Sequence, residues 1–127
     1  MPIHIEVDAA TNLRVVTFEG EIRDNDVIDT FSTYWQSPDY DPSLNEFYDC
    51  SGMTYTDITG EGMRKIAGVN MGFNQEGPGV KVAMFAPTDV AYGLIRMYQV
   101  FTEDSASDLQ VFRDRSDALR WLGVPDL

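Results

Sequence analysis

The chain is poor in the residues on which most chemistry and most targeting depend. Among 127 residues there are one cysteine, one histidine and two lysines. No apolar run approaches the ~20 residues of a membrane-spanning helix, so no membrane span is expected. Cys50 has no partner for an intrachain disulfide, which suits a reducing compartment, and it reads as a small core residue on a strand. Met1-Pro2-Ile3-His4 runs straight into a strand pattern without a basic start or an apolar signal core, so a cytoplasmic location is expected. His4, on the polar side of that strand, reads as solvated and not as a catalytic base. Positive charge is scarce too: nine basic residues face 21 acidic ones, for a net charge of −12 and a pI near 4.2. Long-range repulsion disfavours nucleic acid and anionic membranes as partners. The acids are mostly Asp and are scattered, as on a solvated or salt-adapted surface.

What remains is a globular composition. With 43% hydrophobic residues, a chain of this length buries roughly two-thirds of its unfolded surface, enough for one core without metals or disulfides. Ile3, Ile5 and Val7 alternate with His4, Glu6 and Asp8 in the period of an edge strand. A short connection leads to a second strand from Leu13 to Phe18, which makes the pair an antiparallel hairpin. Asp24 is placed to cap a first helix with Val27, Ile28, Phe31, Tyr34 and Trp35 as its apolar stripe. Pro38 and Pro42 hold the following loop out of helix. Asp39, Asp41 and Ser43 mimic the start of a calcium loop, but Leu44 stands where glycine is required and Cys50 where a bidentate Glu is needed, so calcium is excluded.

Strand from Phe47 to Cys50, a break at Ser51-Gly52, oxygens of Asp57 and Thr59 to cap, and a second helix from Gly60 with Met63, Ile66, Ala67, Asn70 and Met71 on one face form the central lip. In open α/β sheets ligands and partners gather at such carboxyl-end connections. Gly77-Pro78-Gly79 precedes a strand and is a turn, not a phosphate loop. Val80 to Ala86 is continuously apolar and is expected near the sheet centre, covered on both faces. Pro87-Thr88-Asp89 opens a third helix with two adjoining apolar stripes: Val90, Leu94, Met97 and Phe101, then Ala91, Ile95 and Tyr98. A last strand, Leu109 to Phe112, leads to a helix capped by Asp114 and stopped by Gly123. The expected fold is a single α/β domain over residues 1–127, order ββαβαβαβα, with a mixed, mostly parallel sheet of about five strands and four helices.

Asp49-Cys50-Ser51-Gly52, followed by Asp57-Ile58-Thr59-Gly60-Glu61-Gly62, resembles the signature of the anti-sigma-factor antagonist (STAS, SpoIIAA-like) family. Val82 to Tyr98 and Val111 to Leu122 are similar to its uncharacterised bacterial branch, and the likeness spans about residues 3 to 123. The resemblance implies a SpoIIAA-like fold and a regulatory, protein-binding role in which the hydroxyl residue before the glycine, Thr59, is phosphorylated by a partner kinase. Ile58, in place of a hydroxyl residue, and Glu61, in place of an apolar one, depart from the pattern.

Three functional classes follow. The leading one is a non-enzymatic regulatory module with a partner surface at Ser51, Thr54, Tyr55, Asp57, Thr59, Thr88 and Asp89. The second is a carrier of a small apolar ligand or lipid, since the implied fold is related to lipid-transfer domains. Its cleft would draw on Trp35, Met63, Met71, Phe73, Tyr92, Met97, Tyr98 and Phe101, a set that ordinary core packing would equally explain. An enzyme ranks third, because Ser51 and Cys50 lack an evident base and no metal-ligand or cofactor motif is present. The second stripe of the third helix, with Tyr92, Ile95 and Tyr98, needs a cover: a neighbouring helix, a bound apolar molecule or the second subunit of a homodimer.

Overall fold

The alternation that starts at Ile3 builds the first of five strands. The computed structural model describes residues 2–73 and 77–125, with the backbone alone at residue 73. Along the chain come β1 (Ile3–Asp8), β2 (Leu13–Ile22), α1 (Asp24–Trp35), β3 (Asn45–Thr56), α2 (Gly60–Phe73), β4 (Lys81–Phe85), α3 (Asp89–Phe101), β5 (Asp108–Phe112) and α4 (Arg115–Leu122). This is the order read from the sequence. In the turn between β1 and β2, Asn12 takes a φ of 56°, and its amide donates to the Asp8 carbonyl at 2.8 Å. A short polar side chain tolerates that left-handed conformation.

β1 and β2 are antiparallel and every other pairing is parallel. The sheet order is β1-β2-β3-β4-β5, so neighbours in space are neighbours in sequence. β3 occupies the middle, and β4, between it and the edge strand β5, places the Val80 to Ala86 segment next to the centre, in keeping with the expectation. Val82, Ala83 and Met84 are all buried, because both faces of β4 are covered.

A sheet that grows in one direction through right-handed crossovers must carry all its crossover helices on one face. α1, α2 and α3 accordingly share one core with the sheet, in which Val27, Phe31, Met63, Ile66, Leu94 and Ile95 meet Val16, Phe18, Tyr48 and Met84. Phe18, Phe31 and Tyr48 contact one another there with ring centroids 6.1 to 6.4 Å apart. The reverse face is left to α4, whose Ala118, Leu119 and Leu122 cover Leu13, Phe47 and Ala83. Val7, which pairs with Arg14 near the end of the edge strand, is exposed despite its apolar phase.

The helix ends follow local chemistry. Asp24 is the first helical residue of α1 and not its cap; the Arg23 amide donates to the Asp26 carboxylate at 3.0 Å instead. Thr88 caps α3 through the Ala91 amide and Asp114 caps α4 through the Asp117 amide, both at 3.1 Å. Gly123, at a φ of 75°, ends α4 with its amide on the Arg120 carbonyl.

Inside the first core lies a charge pair. Arg14 and Glu46, 0% and 1% exposed, face each other across β2 and β3 with 2.8 Å between Nη1 and Oε2. Arg14 Nε donates to the Tyr34 hydroxyl at 2.9 Å, and Nη2 donates to the Asp41 carbonyl. The guanidinium also lies 4.9 to 5.8 Å from the ring centroids of Tyr34, Trp35 and Tyr40. Burial by itself would lower its pKa, but the Glu46 charge and hydrogen bond, helped by Tyr34, outweigh that and hold it above the ordinary arginine value. Replacing Arg14 by Ala strands a buried carboxylate and should cost about 3–5 kcal/mol in urea unfolding, whereas Arg14→Met paired with Glu46→Leu should recover most of that loss. A double variant as unstable as the single one would show that the aromatic contacts, not the charge balance, dominate.

Candidate functional site

β3 is twelve residues long, and only its first half is sandwiched between partners. Glu46 to Asp49 pair with β2 on one side and β4 on the other; β4 ends at Phe85, and beyond Asp49 the pairing of β3 is with β2 alone. The register slips twice along that extension. Thr17 pairs with Asp49 but Glu19 with Gly52, and Gly20 pairs with Met53 but Glu21 with Tyr55, so β3 holds one surplus residue at each step. These are bulges, and they project a twisted two-stranded ribbon past the end of β4. The break expected at Ser51-Gly52 is therefore a bulge within the strand, which continues to Thr56.

The first motif makes this bulge. Asp49 Oδ1 accepts from the Ser51 amide at 3.0 Å and from its hydroxyl at 2.6 Å, while Oδ2 lies 3.4 Å from Arg115 Nη1. The carboxylate thus binds the amide of a residue that has no counterpart in the β2 register. Glycine is needed at 52 because a Cβ there would stand 3.0 Å from the Phe18 carbonyl oxygen. Asp-x-Ser-Gly is in this chain a device for bending a strand.

The second motif turns the ribbon into α2. Thr59 is exposed, and its hydroxyl accepts from the Gly62 amide at 3.1 Å as the N-cap. Asp57 does not cap; it pairs with Arg23 at 2.6 Å, and the Arg23 guanidinium lies 5.9 Å from the Tyr55 ring centroid. The adjacent Asp57 charge raises the Arg23 pKa further. Gly62 lets the start of α1 approach, since a Cβ at that position would be 3.3 Å from Asp24 Oδ2. Ser51, Thr54, Tyr55, Asp57 and Thr59 are all exposed on this end of the sheet.

Thr88 and Asp89 are exposed at the start of α3, where a second arginine organises the surface. Arg113 Nη2 donates to the Pro87 carbonyl and to Asp89 Oδ1, both at 2.9 Å, and its guanidinium lies 4.7 Å from the Tyr92 ring centroid. Among the described residues, no hydrogen bond or ion pair joins this group to the Arg23 group. The expected surface is thus two arginine-centred clusters at one end of the sheet.

Of the other residues singled out, Tyr98 and Ile95 turn inward. The Tyr98 hydroxyl accepts from Asn70 Nδ2, and Asn70 Oδ1 accepts from Trp35 Nε1, both at 2.9 Å. The Ala91, Ile95 and Tyr98 stripe is therefore covered by α2 and the sheet, which leaves Ile95 no surface for a second subunit. Tyr92 is half-buried under Arg113. The apolar cavity between Met63, Ile66, Met84 and Ile95 measures about 40 Å³, room for a water and not for an acyl chain. Trp35 and Met63 belong to the core, and the Phe73 side chain lies outside the described residues.

Cys50 is fully buried, and burial pushes its thiol pKa up, away from a reactive thiolate. The Ser51 hydroxyl is bonded to Asp49, and His4 is two strands away on β1. Among the described residues no group of His, Cys, Asp and Glu is arranged to hold a metal, and no helix is long and apolar enough to cross a membrane. Sequence reading missed Arg14, Glu46 and the two organising arginines. The first pair had a signal: opposite charges in the middle of apolar strand patterns, at Leu13-Arg14-Val15 and Glu46-Phe47.

No protein-family model and no curated protein matches this chain. Among solved structures, it is similar to an uncharacterised protein of the DUF3478 family with a SpoIIAA-like fold from Shewanella loihica PV-4. The two share 14% identity and a TM-score of 0.57, over 94% of this chain and 91% of the other. At that identity the likeness concerns architecture: this is a single α/β domain with the SpoIIAA-like fold.

Two measurements check the site chemistry. Gly52→Ala should lower stability by about 1 kcal/mol through crowding of the Phe18 carbonyl, while Gly60→Ala, whose Cβ meets nothing within 4 Å, should not. Equal melting temperatures for the two variants would remove the bulge argument. Because the buried thiol is held neutral, its contribution is complete below the ordinary thiol pKa of about 8.5 and is lost as pH rises above it. The urea midpoint should therefore fall between about pH 8 and 10 more in the wild type than in Cys50→Ala, and iodoacetamide should label Cys50 only as the protein unfolds.

Proposed function

We propose that this chain is a non-enzymatic protein-binding module of regulatory type, engaging its partner through the ribbon and the start of α2. The observation that carries this reading is the exposed Thr59 hydroxyl, which caps α2 at the base of a ribbon projecting beyond the sheet. A hydroxyl there is open to a kinase, and a phosphate on it would add about two negative charges beside Asp57 and Glu61 at the docking surface. The amides at the α2 start favour such an anion locally, so the modification would change partner affinity without unfolding the helix. The family resemblance of the two motifs supports the same reading, as do the buried Cys50 thiol and the distance of the sole histidine from Ser51. A carrier role would need the 40 Å³ apolar cavity to grow to the several hundred cubic ångströms typical of ligand pockets, since the 240 Å³ pocket beside Met71 and Tyr98 is lined mainly by polar groups, among them Thr102, Ser105 and Ser107.

The test is capture of cellular partners on immobilised wild type, followed by titration of each with Thr59→Glu and Thr59→Ala. Glu should weaken at least one partner about tenfold or more, and Ala should preserve it. Unchanged affinity of every partner for Thr59→Glu would end the phospho-switch reading. A co-purifying apolar molecule in native mass spectrometry would favour the carrier instead.

A further inference from the structure

A second surface, distinct from the ribbon, is marked by three independent features that fall on the outer faces of α2 and α3, two helices packed side by side. The first is charge. Among the described residues Arg64, Lys65 and Arg96 form no ion pair, whereas Arg14, Arg23, Arg113, Arg115 and Arg120 each have a carboxylate partner. In a chain with 21 acids, the described residues of α2 and α3 include only Glu61 and Asp89, both in the first turns. The second is exposed apolar area: Met71, Val90 and Val100 are 45%, 48% and 59% exposed, and Arg64 lies 5.5 Å from the Phe101 ring centroid, bridging the two helices. The third is glycine. Gly68, Gly72 and Gly93 are exposed within helices, and a Cβ at any of them would meet nothing within 4 Å. Each weakens its helix relative to alanine, and nothing among the described residues requires them.

We infer that the outer α2–α3 face docks an acidic amphipathic helix from a partner protein. Glycines let a second helix come close to the backbone, as small residues do where helices pack tightly, and Met71, Val90 and Val100 supply the apolar contact. The unpaired cations then meet carboxylates on the flanks of the incoming helix. A second copy of this chain fits poorly, because a two-fold axis would bring these cations against themselves while the acids stay at the helix starts. An anionic membrane fits poorly as well, since a net charge of −12 repels it and a bilayer has no use for bare backbone. The inference shares with the proposed function the idea of a binding module, but it uses another surface, and its test involves no Thr59 variant.

The experiment is selection from a displayed library of amphipathic helices about five turns long, randomised on both faces, against the full chain. Enriched helices should be acidic with small residues on the apolar face. They should lose about tenfold or more in affinity for Gly68→Leu/Gly93→Leu and for Arg64→Glu/Lys65→Glu/Arg96→Glu. The leucine variant should melt no lower than the wild type, since its new side chains enter open space. Neutral or basic winners, winners indifferent to both variants, or no enrichment would each overturn the inference. Concentration-dependent dimers that the glutamate variant dissolves, or binding to phosphatidylserine vesicles lost in that variant, would overturn it in favour of a second copy or a membrane.

Discussion

A guanidinium without access to water must be satisfied wholly from within, and Arg14 draws that satisfaction from three parts of the chain: β3 through Glu46, α1 through the Tyr34 hydroxyl and the Trp35 ring, and the following loop through the Asp41 carbonyl and the Tyr40 ring. The arrangement also sets register. Arg14 and Glu46 are direct partners across β2 and β3, and a slip of one residue would send one charge to the opposite face and leave the other unpaired in the core. Every position further along β3, including both bulges, is counted from that pairing. The placement of the ribbon is thus fixed from the far end of the strand by an interaction buried in the core.

The architecture was legible because it rests on period and punctuation. Ile3, Ile5 and Val7 gave an edge strand, Asp114 and Gly123 bracketed the last helix, and the continuous apolar run at Val82 to Met84 marked a strand covered on both sides. The site was less legible because it depends on where a partner strand stops. Ser51-Gly52 looks like a terminator in one dimension; only the β2 register shows that these residues are surplus within a strand that continues. Asp57 looked like a cap and is a salt-bridge partner, because Arg23, 34 positions earlier, stands opposite it. Side-chain spacing along a helix likewise cannot say which neighbour covers a stripe, and the stripe of Ala91, Ile95 and Tyr98 is covered within the chain.

Topology also changes the kind of site that this end of the sheet can be. Doubly wound sheets bind ligands where the strand order reverses and helices part to opposite faces. Here the order does not reverse and α1, α2 and α3 stay together on one face, so the carboxyl end lacks a switch point of that kind. What the carboxyl end offers is a protrusion, the bulged ribbon with the α2 cap at its base. A convex feature suits contact with another macromolecule better than enclosure of a small molecule, in keeping with the small volume of the apolar cavity.

The strand order has a last consequence, for the way the chain is assembled. Each strand after the first pairs with the one made immediately before it, separated by one turn or one helix. No strand must wait for a distant partner or be inserted between two already joined, so the loop-closure entropy of each addition is that of a short connection. A nascent chain can extend its sheet in the direction of synthesis, exposing one growing edge at a time. α4, the last element made, then closes over the reverse face of a sheet whose strands are already in place.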